Sequence, residues 1–265
     1  MANLALQSAS TGLSALNTRL DVVANNLANI NTPGFKASRA NFQDLMYIER
    51  AQPGVENAIG DSRPTGLYVG LGVKVSGTQF DFNEGPVLAT DRPLDVRIDG
   101  SGFFQVEIED GVIGYTRSGN FALNSDGELV LANDQGRRLD PGVSIPPDAT
   151  EVDIGIDGQV FVKLPGDAVA TPVGQLQLAT FVNPAGLEPI GENLFTETAG
   201  SGPPTVGNPS EENRGRLRQG MLEGSNVDPT RELIDLIRTQ RAFEMNSQAI
   251  RVADETLSAV SQLRR

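Results

Sequence analysis

Residues 24–35 read ANNLANINTPGF: four asparagines and a Thr-Pro-Gly turn closing an apolar heptad run. Upstream, Leu6, Leu13, Leu20 and Leu27 recur at intervals of seven, and Ala9, Leu16, Val23 and Ile30 follow three residues behind. That spacing predicts an amphipathic helix with a four-heptad seam. Asn tolerates the left-handed conformation at a helix C-terminus, and Pro33 forbids continuation, so the helix is expected to stop by 29–31. Gly12 inside the run costs about 1 kcal/mol relative to Ala, so packing must hold the helix. Asn26 borders the seam. Its amide either belongs to the solvated polar end of the helix or bonds a neighbouring helix and fixes register.

The other end mirrors this one. SNVDPTREL, residues 225–233, offers Ser225 or Asp228 as N-cap, Pro229 in the first turn and Glu232 near the positive end of the dipole. Leu236, Phe243, Ile250 and Leu257 then repeat at seven, with Thr239, Asn246, Ala253 and Val260 as companions. Asn246 is costly in a seam unless its amide is paired.

Between the helices the period changes to short alternating runs. GFFQVEIE at 102–109 places Phe104, Val106 and Ile108 on one face, with Gln105, Glu107 and Glu109 on the other. Asp110-Gly111 reads as a hairpin turn, and turn signals at 118–120, 125–127, 134–136 and 157–158 bound further runs. An all-β barrel or sandwich-like body over roughly 71–200 is expected. The fold class is therefore α+β: terminal helices forming a coiled coil, with an inserted all-β body. The expected domains are 1–35 with 226–265, a connecting segment 36–70, and a β-rich 71–225. Residues 46–70 and 199–213 carry no clear period, and the second reads as a flexible loop.

Composition narrows the chemistry. With no Cys and no His among 265 residues, the usual zinc sites, a thiol nucleophile and a Ser-His triad are excluded. Asp95 and Asp99 are read as solvated strand-edge carboxylates rather than an acid pair. The glycine clusters lack the arrangement that cradles a dinucleotide, and ALNSDG at 122–127 lacks the carboxylates of a calcium loop. No cofactor, metal or catalytic residue is expected. A net charge of -13 argues against nucleic acid, and no apolar run is long enough for a membrane span. The first 20 residues hold no basic group before Arg19 and no unbroken apolar stretch, so no cleaved secretory signal is expected. Residues 46–225 contain 26 acidic and 12 basic groups, while both ends are nearly neutral. Ends packed against protein and a middle facing water fit that partition.

Taken together, LDVVANNLANINTPGFKA (20–37), PLDVRIDGSGFFQV (93–106), YTRSGNFALNSDGELV (115–130), VGQLQLATFVNPAGLEPIGENLF (173–195), QGMLEGSNVD (219–228) and RTQRAFEMNSQAI (238–250) resemble the axial proteins of the bacterial flagellum, the rod and hook family. The resemblance implies a structural subunit of a helical tube, with terminal helices inside and the β body outside. It implies export without cleavage and a place in the basal-body rod, from periplasm to outer membrane. The implied partners are copies of itself, other rod proteins, the hook protein and the envelope ring proteins. In the family, an extra segment after a Phe-x-Asp-Leu is similar to what separates the distal-rod branch from the hook branch. Here Phe42, Asp44 and Leu45 precede residues 46–63, which favours rod over hook, with hook or proximal rod as the alternative. The expected assembly interface is Leu6, Leu13, Leu16, Leu20, Val23, Asn26, Leu27 and Ile30 with Leu236, Phe243, Asn246, Ile250, Leu257 and Val260. LANDQGRRLD at 131–140 is more charged than the family suggests.

Overall fold

The computed structural model describes residues 2–54, 64–108, 111–166 and 169–263. The chain divides into two compact units: residues 1–28, 38–79 and 228–265 form one, and residues 29–37 and 80–227 form the other.

The first unit is built on two helices, α1 (Ala2–Ala28) and α2 (Pro229–Leu263). It also contains strands β1 (Ser38–Asp44), β2 (Tyr47–Ala51), β3 (Leu67–Gly70) and β4 (Val73–Phe80), whose last residue crosses into the second unit. α1 ends at Ala28, so Ile30 lies beyond the helix rather than in its seam. The cause is local: the Thr32 amide donates to the Asn29 carbonyl and the Phe35 amide to that of Thr32, two turns that Pro33 enforces. At the start of α2, Asp228 and not Ser225 is the cap, since its carboxylate accepts from the Thr230 amide at 2.9 Å. β1 pairs with β4, and β2 pairs antiparallel with β3. The stretch 46–70, aperiodic in sequence, thus contributes two strands within its described residues, while residues 55–63 lie outside them. The Val73 amide donates to Thr11 Oγ1 at 3.3 Å, resting the start of β4 on α1.

The second unit is strand-rich. It runs β5 (Val87–Ala89), β6 (Val96–Asp99), β7 (Phe104–Glu107), β8 (Ile113–Thr116), β9 (Phe121–Leu123), β10 (Leu129–Leu131), β11 (Leu139–Asp140) and β12 (Glu151–Ile154). Then follow β13 (Gln159–Lys163), β14 (Thr171–Gln175), β15 (Leu178–Thr180), β16 (Glu188–Gly191), β17 (Leu194–Thr196), β18 (Thr205–Gly207), β19 (Arg216–Gln219) and β20 (Met221–Glu223). A five-stranded sheet, β11-β7-β8-β17-β16, stands with a three-stranded sheet, β12-β13-β14, and smaller pairs. The main core gathers Val96, Ile98, Phe104, Val106, Phe121 and Leu129 among others, with the Phe104 and Phe121 rings edge to face at 5.0 Å. A second cluster joins Phe103, Tyr115, Phe181 and Phe195 to Phe80 and Phe82.

Two sequence expectations change here. Gln105 is buried although it alternates with Phe104 and Val106, because it pairs in register with Tyr115, whose side of the sheet is covered by the second aromatic cluster. Glu109 and Asp110 of the expected hairpin lie outside the described residues. Residues 199–213 are not merely a loop: β18 pairs antiparallel with β15, and Ser201 is buried in a turn closed by the Thr198 hydroxyl.

Candidate assembly interface

α1 and α2 pack side by side and antiparallel. Gly12 meets Asn246, Arg19 pairs with Asp235 at 3.4 Å, and the Asn26 amide donates to Glu232 Oε1 at 3.2 Å. The two residues that look costly in sequence explain each other: a Cβ at position 12 would sit 2.5 Å from Asn246 Nδ2, so Gly12 makes room for the amide. Asn26 is 2% exposed and works as a bracket. Its Nδ2 also donates to the Ser38 carbonyl at 2.8 Å, while its Oδ1 accepts from the Ser38 amide at 3.0 Å. One buried amide thus holds the partner helix and the first residue of β1. Burial raises the Glu232 carboxyl above its usual pKa, against the Asn26 hydrogen bond that lowers it.

Of the expected interface residues, Val23 and Asn26 are buried. Leu6, Leu13, Leu16, Leu20 and Leu27 on α1, and Leu236, Phe243, Asn246 and Ile250 on α2, are partly buried. The side chains of Leu257 and Val260 lie outside the described residues. A second face of α2 escapes the heptad reading. Ile234, Ile237, Met245 and Val252 are 44–64% exposed and, with Arg241 and Gln248 between them, recur at steps of three and four along one stripe. A groove of about 440 Å³ lined by Phe243, Met245, Gln248 and Arg251 runs beside it. The β2–β3 ribbon likewise exposes Tyr47, Ile48, Leu67 and Tyr68, with Met46 just before it 80% exposed.

In the strand-rich unit, the NTPGFKA turn is anchored by buried charge. Gly34 (φ 75°) fits where a Cβ would lie 2.7 Å from the Ser118 amide nitrogen, and its own amide donates to the Glu223 carbonyl at 2.8 Å. Lys36 Nζ lies 2.6 Å from Glu223 Oε1, both side chains 0% exposed, and donates to the Asn83 carbonyl at 2.7 Å. Arg117 approaches the other Glu223 oxygen at 3.7 Å. Burial lowers the Lys36 pKa more than the pull of Glu223 raises it. The charges of LANDQGRRLD are used internally. Arg137 forks onto Glu192, Asn133 donates to the same carboxylate, and the next residue, Asn193, donates to the Pro33 carbonyl at 3.2 Å.

Charge divides between the units. Residues 29–37 and 80–227 hold 23 acidic and 10 basic groups, while the remainder of the chain holds 11 of each. The helix unit is neutral, and the full net charge of -13 sits on the β unit. Of the Asp95–Asp99 pair, Asp95 is buried, contrary to its expected solvation, and Asp99 is ion-paired with Arg218 at 3.0 Å. No helix among the described residues is long and apolar enough to cross a membrane.

Comparison with known proteins speaks to the whole chain. Residues 6–36 match the family described as Flagella basal body rod protein, residues 97–162 the Flagellar hook protein FlgE/F/G D1 domain, and residues 218–263 the Flagellar basal body rod FlgEFG protein C-terminal. The Flagellar basal-body rod protein FlgG of Agrobacterium fabrum is 45% identical, covering 97% of this chain and 98% of its own. That of Caulobacter vibrioides is 45% identical, over 98% and 99%. This chain belongs to the FlgG family of flagellar basal-body rod proteins. The FlgF rod protein of the same Caulobacter is only 34% identical, over 94% and 93%, which sets the FlgG family ahead of its rod neighbour. The family is structural, not enzymatic, and its members are parts of the flagellum. The residues that sequence reasoning missed, Lys36, Glu223 and the outward stripe of α2, left only faint signals. A lysine and a glutamate stand inside the quoted motifs, and apolar residues recur on α2 outside its seam.

Proposed function

We propose that the chain is a structural subunit of the flagellar distal rod, which assembles with copies of itself into a helical tube. In this reading the tube transmits torque through the periplasm and outer-membrane rings and encloses the export channel. The neutral helix unit forms the inner layer, with α1 and α2 joined as a coiled coil within and between subunits. The acidic β unit forms the outer layer, where its charge discourages adhesion to the surrounding envelope. Residues 46–63 bridge neighbours and stiffen the tube, as the family suggests, and export leaves the chain uncleaved. Other rod proteins, the hook protein and the ring proteins are the remaining partners.

The single observation that carries this reading within a chain of this family is the outward stripe of α2. α2 already packs against α1, yet Ile234, Ile237, Met245 and Val252 are left about half exposed on a unit with no net charge. Covering four such side chains with a second copy contributes about 3–6 kcal/mol per contact, at about 1.5–3 kcal/mol for full burial of each. The Ile237→Asp/Met245→Asp variant is expected to keep its circular dichroism and to stay monomeric at concentrations where the parent forms tubes. Tubes of normal length from that variant would refute the placement of the interface.

A further inference from the structure

The chain enters the β unit after residues 28 and 79 and leaves it after residues 37 and 227. The segments beside three of those four points, 34–37, 81–86 and 223–226, are laced to one another inside the unit. Asn226 Oδ1 accepts from the Ala37 amide at 2.7 Å, and its Nδ2 donates to the carbonyls of Asp81 and Asn83 at 2.7 and 3.1 Å. The Asp81 amide donates back to the Ala37 carbonyl at 2.8 Å. Next to this knot, Glu223 takes Lys36 and the Gly85 amide on one carboxylate oxygen, and the Gly224 amide donates to Pro86. One asparagine therefore touches all three segments, and every group it meets is main chain.

We infer that Asn226 is a positioning residue, a clasp that gathers three of the chain's four crossings to the β body. Among the described residues, the clasp draws no hydrogen bond from either helix. These crossings thus share the stability of the strand-rich unit and keep their order whether or not the helices have found a partner. A main-chain bracket suits that task, because it fixes where the chain crosses without constraining which side chains the crossings carry. The inference concerns the single subunit and holds independently of the tube.

Hydrogen exchange on the full chain at low concentration tests it. In the parent, the amides of Ala37 and Asp81 are expected to exchange with those of core residues Val96 and Leu217, and more slowly than those in the middle of α1 and α2. In Asn226→Ala, Ala37 and Asp81 should exchange about fivefold or more faster, the effect of one lost hydrogen bond. Gly34 and Gly85, held by Glu223, should keep their rates. Crossings that exchange in step with the helices would overturn the inference. So would a variant in which all four amides accelerate together, since Asn226 would then only add to global stability. Should the alanine variant fail to fold, Asn226→Asp keeps the acceptor and removes both donors. Retained protection at Ala37 supports the clasp, and protection lost equally at Ala37 and Gly34 contradicts it.

Discussion

Replacing Glu223 with Gln removes one buried charge and almost no volume. The amide oxygen can still accept from Gly85, so the perturbation is electrostatic. It leaves Lys36 at 0% and Arg117 at 4% side-chain exposure without their buried anion, because Glu84, whose charge also acts on both, is 37% exposed and already engaged by Arg97. Breaking a buried pair from one side costs about 3–5 kcal/mol. For a β unit of this size, with a urea dependence of about 1–3 kcal/mol per molar, the midpoint should fall by about 1–5 M. Far-UV circular dichroism in urea measures it. The pH dependence has a definite sign. Lys36 has its pKa lowered in the fold, so the unfolded chain binds the proton more tightly, and this contribution to stability rises with pH between the lowered pKa and the ordinary 10.5. Glu223→Gln should extend that rise to lower pH, and adding Lys36→Met should recover part of the loss at pH 7 by removing one of the two stranded cations. A cost under about 1 kcal/mol, or a double variant no more stable than Glu223→Gln, would refute the reasoning.

Tyr115 supplies the opposite slope. Burial, with Glu197 and Asp140 adding to it, pushes its phenol up to about 12, so stability present below pH 10 is lost as pH rises toward 12. In Tyr115→Phe that alkaline loss should be absent, as urea midpoints at pH 9.5 and 11.5 will report. In the helix unit, Gly12→Val should speed exchange of the α1 and α2 amides by driving a branched side chain into Asn246, and Asn246→Ala should restore much of the protection by vacating the space. Equal exchange in Gly12→Val and the double variant would show that the two residues do not meet.

Both helices were legible because their signals are local. Heptads set the faces, Asp228-Pro229 set the start of α2, and Asn-Thr-Pro-Gly set the end of α1. The seam reading overshot at Ile30 because a period continues in sequence past the point where the backbone has turned. What stayed hidden is non-local. Gly12 and Asn246 each look like a defect until they are brought together across 234 positions, and Lys36 finds Glu223 across 187. Asn26 was legible as a seam-edge amide, but its grip on Ser38 depends on where β1 begins. The outward stripe of α2 was obscured because a helix apolar on two sides shows less contrast than one with a single greasy face. In the β body, alternation found Phe104 and Val106 but misjudged Gln105, since whether a strand's second face is covered is decided by the neighbouring aromatic cluster, not by the strand.

In the proposed tube the neutral helix unit assembles and the acidic β unit is displayed. Electron microscopy of the concentrated protein beside a Leu20→Asp/Phe243→Asp variant tests it most directly. Each aspartate places an unpaired charge at a partly buried seam position, at a cost of several kcal/mol. Tubes are expected from the parent and only monomers, with an intact strand-rich spectrum, from the variant. Tubes of equal length and order from both would contradict it.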